Sequence, residues 1–337
     1  MANPGRLIQV KRMAGMIVFA AFILMPRTDA RSFGFHAHRI INRMAVFTLP
    51  PEMVGFFKKH VEYLSERSVD PDRRAHAVAG EAARHYIDID HYGDEPFGLV
   101  PRQWADAVEM FSEDTLIEQG VLPWHIYTMM GRLTRAFRDK DIDRILYNAA
   151  HIGHYIADAC TPLHTTRYYN GRTPGQRGIH ALWESRIPEL AANDFNFFVG
   201  RAEYIESPLD RGWELVEISH LKVDAIYQVY DSLMMAYTTD QVYTHEMRGQ
   251  TTVRTYSSEF SMAFHHGMNH MVEQQMQLAV KSIGDFWFTA WVNAGQPDLY
   301  QLEQRAISRR HRRMIEQEQQ RWEQVEKPVG RANPEQD

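Results

Sequence analysis

Along the chain, apolar residues recur mostly at helical spacing. Ile40, Ile41, Met44, Ala45 and Phe47 form one such stripe, which Pro50-Pro51 stops. A second helix is expected from Pro51 to Leu64, with Met53, Val54, Phe57 and Val61 facing inward, and then Ser68 to Arg74 reads as a turn. The stretch Glu81 to Tyr92 is dense in ionisable groups beside aromatics, and its alternation from His85 to Asp90 suggests a short extended segment. Helices are expected at Gln103–Phe111, Trp124–Phe137, Asp141–Ala157, Trp213–Tyr230, Tyr256–Met276 and Met276–Trp291. The last of these would close the fold by burying Phe286, Trp287 and Trp291. No strong β-branched alternation and no Gly-rich phosphate loop occurs, so the expected fold is mostly α, a single multi-helix domain.

The two ends read differently. Residues 1–32 combine Arg6, Lys11 and Arg12, an apolar run from Met13 to Met25, and a small-residue end, the layout of a secretory signal peptide. A cut after Ser32 is expected, with one after Ala30 as the alternative; the product would be secreted or periplasmic. Beyond Leu299 the chain is rich in Arg, Glu and Gln, and 300–337 is expected to be a solvated helical tail, leaving 33–299 as the helical domain.

Composition adds two constraints. A formal net charge of -6 argues against a surface that coats nucleic acid generally, and one cysteine, Cys160, rules out an internal disulfide or a thiolate zinc cluster. Cys160 itself is expected to be a buried apolar residue. Any metal must then be held by His, Asp and Glu, and seventeen histidines are available.

The densest such chemistry lies between His151 and Glu184. His154 and Asp158 stand four apart, His164 follows Thr161-Pro162-Leu163, and His180 and Glu184 again stand four apart. Residues four apart share a helical face, so each pair can address one ion. His38, His85 and an aspartate, Asp70 or Asp72, bring the set to eight oxygen and nitrogen donors, which suits a multinuclear zinc site with open positions. His266 and His270, also four apart, read as structural because no carboxylate cluster accompanies them.

These motifs resemble the zinc-dependent phospholipase C and single-strand-specific nuclease superfamily. The matching features are His38 five residues after Phe33, His85-Tyr-Ile-Asp88, His154-x3-Asp158-x5-His164 with Pro-Leu before the last His, and His180-x2-Trp183-Glu184. The resemblance implies three zinc ions in a cleft. One would be held by Asp70 or Asp72 with His85, His154 and Asp158, and a second by His164, His180 and Glu184. The third would take the amine and carbonyl of a mature N-terminal Phe33, with His38 and a bridging Asp158. The same aspartate, Asp70 or Asp72, would orient or deprotonate the attacking water. Phe33 departs from the Trp usual in the family.

The implied substrate is a phospholipid or a nucleic acid or nucleotide, with transient membrane-surface contact and no obligate protein partner. A metal-binding envelope protein without activity is the alternative from another class. Tyr86, Asp88, Arg167 and Asn170 are candidates for supporting the ligands or touching substrate.

Overall fold

The helix Ile142–Ala159 is the axis of the molecule, because every residue from Asn148 to Ala159 is buried. The side chain of Asp141 accepts from Arg144 N and starts the helix, and Pro162 follows its end. A helix buried all round needs neighbours on every side, and here they are Gly34–Ala45, Val61–Arg67, Leu122–Arg138 and the 23-residue Met271–Asn293. The computed structural model describes residues 34–75, 77–249 and 251–324. The signal peptide expected at 1–32, the expected N-terminal ligand Phe33 and residues 325–337 of the tail lie outside the described residues.

Two polar anchors fix the neighbours. Asn42 Nδ2 donates to Ala150 O at 3.0 Å, and Trp287 Nε1 donates to Ala149 O at 3.0 Å. Close approach of the first helix depends on Gly153, where a Cβ would meet Asn42 Oδ1 at 1.9 Å. One contiguous apolar core runs from Ala37 to Leu302, and Phe286, Trp287 and Trp291 are buried in it. Cys160 is a buried free thiol, which desolvation pushes up to about 12.

The fold is mostly α, with several elements placed differently from the periodicity. Pro51–Leu64 is two helices, Pro51–Lys59 and Val61–Arg67, separated at His60. The first helix stops at Ala45, so Phe47 falls in a tight turn and is exposed. Asp70–Ala75 is a short helix and not a turn, since a proline in the first helical turn is compatible with helix initiation. His85 to Asp88 runs without helix or strand, tied by Ile87 N to His164 O at 2.9 Å. Trp213–Tyr230 breaks at Leu221 into Pro208–His220 and Val223–Ala236.

Tyr256–Met276 is interrupted too, between Ser258–Gly267 and Met271–Asn293, where Asn269 and His270 adopt positive φ. Just before it lies an antiparallel hairpin, β1 Tyr243–Arg248 and β2 Thr251–Tyr256, in register Tyr243 with Tyr256. Its Thr-Thr-Val-Arg-Thr-Tyr strand is the β-type sequence that the helical reading passed over.

The expected solvated tail is docked over its described part. Arg309–Glu323 is helical, with Ile315 and His311 buried, and His311 Nε2 lies 2.7 Å from Tyr63 Oη. No helix among the described residues is long and apolar enough to cross a membrane.

Candidate metal centre

His154 and Asp158 project from the central helix one turn apart, as their spacing requires. Both are buried, so their charges need partners. Partners arrive from two other segments, Asp72 on the Asp70–Ala75 helix and His85 at the end of a short turn.

Four donor atoms then converge. His85 Nδ1 lies 3.0 Å from both His154 Nε2 and Asp158 Oδ2, and 3.7 Å from Asp72 Oδ1. His154 Nε2 lies 3.2 Å from Asp158 Oδ2 and 3.4 Å from Asp72 Oδ1. One ring proton cannot serve two or three acceptors at once, so hydrogen bonding alone does not account for the arrangement. Donors bound to one tetrahedral zinc at about 2.0–2.1 Å stand about 3.3 Å apart. Five of the six separations among these atoms are the ones just given, and all lie within about 0.4 Å of that edge.

The second oxygen of Asp158 faces elsewhere. Oδ1 lies 3.5 Å from His38 Nε2 and 3.8 Å from His164 Nδ1, so this carboxylate spans two groups of imidazoles. His38, carried by the first helix, stacks on His154 with ring centroids 4.0 Å apart.

A third group opens towards solvent. His164 Nε2 lies 3.1 Å from Glu184 Oε2, which His180 Nε2 also contacts. His164 Nδ1 donates to His85 O at 2.5 Å, which orients the ring with Nε2 towards Glu184. Glu184 sits in a π turn, Leu182–Arg186, entered through the left-handed Gly178. Such widened turns recur at functional sites because they re-aim a side chain. Tyr169 stands edge-on to His180 at the rim.

The far ring nitrogens of His38, His85 and His154 are buried without a protein partner. Packing orients these rings instead, His38 against His154 and His85 edge-on to Tyr155. Tyr155 belongs to a buried network in which Arg74 Nη2 donates to Glu81 Oε1 at 3.0 Å and to Tyr155 Oη at 3.2 Å. This support was not singled out from the sequence. Arg74 lies on the same short helix as Asp72, and that proximity was the signal available.

Electrostatics follow from the geometry. Burial opposes protonation of His154, but the Asp158 and Asp72 carboxylates outweigh it and carry its pKa up to about 10. His164 is likewise driven up to about 9, against burial, by Asp158 and Glu184. Burial would raise Asp158 and Glu184, yet the surrounding imidazoles hold both well below the carboxylate range. His38 goes the other way, down to about 4, through desolvation and then its neighbour His154. The carboxylates thus generate a negative potential that protons or cations must answer.

The structure brings together Asp72, His85 and His154; His38, His154 and Asp158; and His164, His180 and Glu184, the donor atoms within each set lying within 4.8 Å of one another. These sets could hold metal ions. Asp70 is placed apart from these sets: its buried carboxylate accepts from Arg73 Nη1 at 3.2 Å, with Arg67 Nη1 at 3.5 Å. His151 lies on that side, Nε2 3.9 Å from Asp70 Oδ2. Of the supporting candidates, Tyr86 donates to Glu118 O, Arg167 to Asp90 O, and Asn170 Oδ1 accepts from Gly178 N. The Asn170 bond bears on the centre by bracing the entry to the His180 segment.

No family model and no curated protein matches the chain. Among solved structures it is similar to the alpha-toxin of Clostridium perfringens from an avian strain, at 10% identity and a TM-score of 0.46, over 79% of this chain and 65% of the toxin. It is also similar to the alpha-toxin of Clostridium absonum, at 11% identity and a TM-score of 0.43, over 77% of this chain and 65% of that one. The chain therefore spans just under two thirds of the length of either toxin.

Proposed function

We propose that the chain is a zinc-dependent phosphodiesterase that hydrolyses phospholipid head groups, exported and cut after Ser32. The observation that carries the reading is the convergence of Asp72 Oδ1 and Asp158 Oδ2 on both His85 Nδ1 and His154 Nε2, with Asp158 spanning to His38. The donor set, imidazole and carboxylate without thiolate, fits zinc. His85, His154, Asp72 and Asp158 would hold one ion, His164, His180 and Glu184 a second, and His38 with Asp158 and the Phe33 terminus a third.

Bound zinc supplies a lowered pKa for coordinated water and neutralisation of phosphoryl oxygens. The protein's own contribution is orientation. Asp72 is the open carboxylate of its set, 28% exposed beside the buried Asp158, so it can accept a proton from water arriving at that edge. His38 and the imidazoles of His85 and His154 are held in place by ring packing, so little rearrangement is needed to complete the site. His180 and Glu184, both partly exposed, mark the side from which substrate enters.

Glu184 in place of Asp and the lack of disulfides favour phospholipid over nucleic acid. Incubating the zinc-loaded chain that begins at Phe33 with phosphatidylcholine vesicles and with single-stranded DNA tests the assignment. Diacylglycerol without nucleotide is expected. Nucleotide without diacylglycerol would transfer the same centre to a nuclease or nucleotidase, and neither product would leave a metal-binding envelope protein.

A further inference from the structure

The interruption between Ser258–Gly267 and Met271–Asn293 places two exposed imidazoles, His266 and His270, beside the buried His265. Ring centroids of His265 and His270 are 4.8 Å apart, those of His266 and His270 5.3 Å, and those of His265 and His266 5.7 Å. In a regular helix His266 and His270, four apart, would share a face, and His265, five before His270, would point away from it. The left-handed backbone at Asn269 and His270, with φ of 51° and 58°, folds the third ring back onto the other two. Non-glycine residues are uncommon in that region and persist where surrounding structure dictates it.

A carboxylate completes the group, which the sequence alone did not reveal. Glu273 accepts from Asn196 N at 2.9 Å through Oε1, and its other oxygen, Oε2, faces His270 Nδ1 at 4.0 Å. His265 is buried against Phe195, its Nδ1 without a partner, while His266 and His270 are exposed. His265 and His266 also occupy the last turn of a ten-residue helix, where the helix dipole favours a cation.

We propose that His265, His266, His270 and Glu273 form a second, peripheral site for a divalent transition-metal ion, separate from the buried centre. Three imidazoles and one carboxylate are a complete tetrahedral donor set for zinc. His266 and His270 are exposed, so their side chains are free to turn towards an ion beside the buried His265. An ion here would pin the turn that starts the Met271–Asn293 helix. Val272, Gln275 and Met276 of that helix line a small cavity shared with His38 and Glu184, so the clamp would brace one wall of the main centre.

The test is a metal count on the full chain and on a His266→Ala/His270→Ala variant after zinc loading and gel filtration. The wild-type chain is expected to retain one zinc more than the variant, whatever the main centre holds; equal counts overturn the proposal. Should the variant fail to fold, diethyl pyrocarbonate labelling of the wild-type chain serves. Zinc should suppress modification of both His266 and His270 by tenfold or more, and unchanged labelling of these rings overturns the site.

Discussion

Gly34 and Glu184 touch, although 150 residues separate them: a Cβ at position 34 would sit 2.3 Å from Glu184 Oε1. The start of the first helix thus leans on a carboxylate of the open donor set. Gly34→Ala should push that carboxylate away from His164 and His180. We expect zinc affinity at this set to fall by about tenfold or more, with the melting temperature of the chelated protein little changed. Competition with a chromophoric chelator measures the first quantity and thermal unfolding the second.

Asp70 and Asp72 should respond differently to the same change. Asp72→Asn removes a donor from the buried set and should cost the chain one zinc. Asp70→Asn should leave the zinc count intact while destabilising the fold by about 2 kcal/mol, because Arg67 and Arg73 lose their anionic partner. Elemental analysis and urea denaturation of both variants separate the two roles.

Gly153→Ala tests the packing of the central helix. Its Cβ would overlap Asn42 Oδ1, and overpacking of this kind costs about 1–3 kcal/mol. Urea denaturation of the variant should show a loss in that range.

His125 supplies a pH dependence outside the metal centre. Buried edge-on against Tyr155, it is held down to about 3 by desolvation and then by Arg84. The unfolded chain, with a pKa near 6.5, binds this proton first. Stability from the neutral ring is therefore full above about pH 6.5 and declines as pH falls towards 3. Between pH 7 and pH 5 the chelator-treated protein should lose up to about 2 kcal/mol from this group. His125→Phe should lose correspondingly less in urea titrations at the two pH values.

How much could be read without coordinates depended on whether regular geometry held. His154 and Asp158 sit on a plain α-helix, so their spacing stated their shared face directly. His180 and Glu184 have the same spacing but are joined through a π turn, which no periodicity displays. Asp70 and Asp72 stayed ambiguous because the local conformation was misread: once 70–75 is a helix, residues two apart point to different sides, and only one reaches the centre. The docked tail was obscured because few side chains anchor it, His311 and Ile315 among them. Glu273 joins His270 only through the left-handed turn before the last long helix, a conformation that Asn-His does not announce.

Zinc stoichiometry of the chain beginning at Phe33 bears most directly on the centre. It is best measured in the His266→Ala/His270→Ala background, so that the surface site does not contribute. Three zinc ions per chain are predicted, and a precursor retaining residues 1–32 should hold one fewer. Two or fewer ions in protein with a confirmed Phe33 terminus would contradict the three-site account.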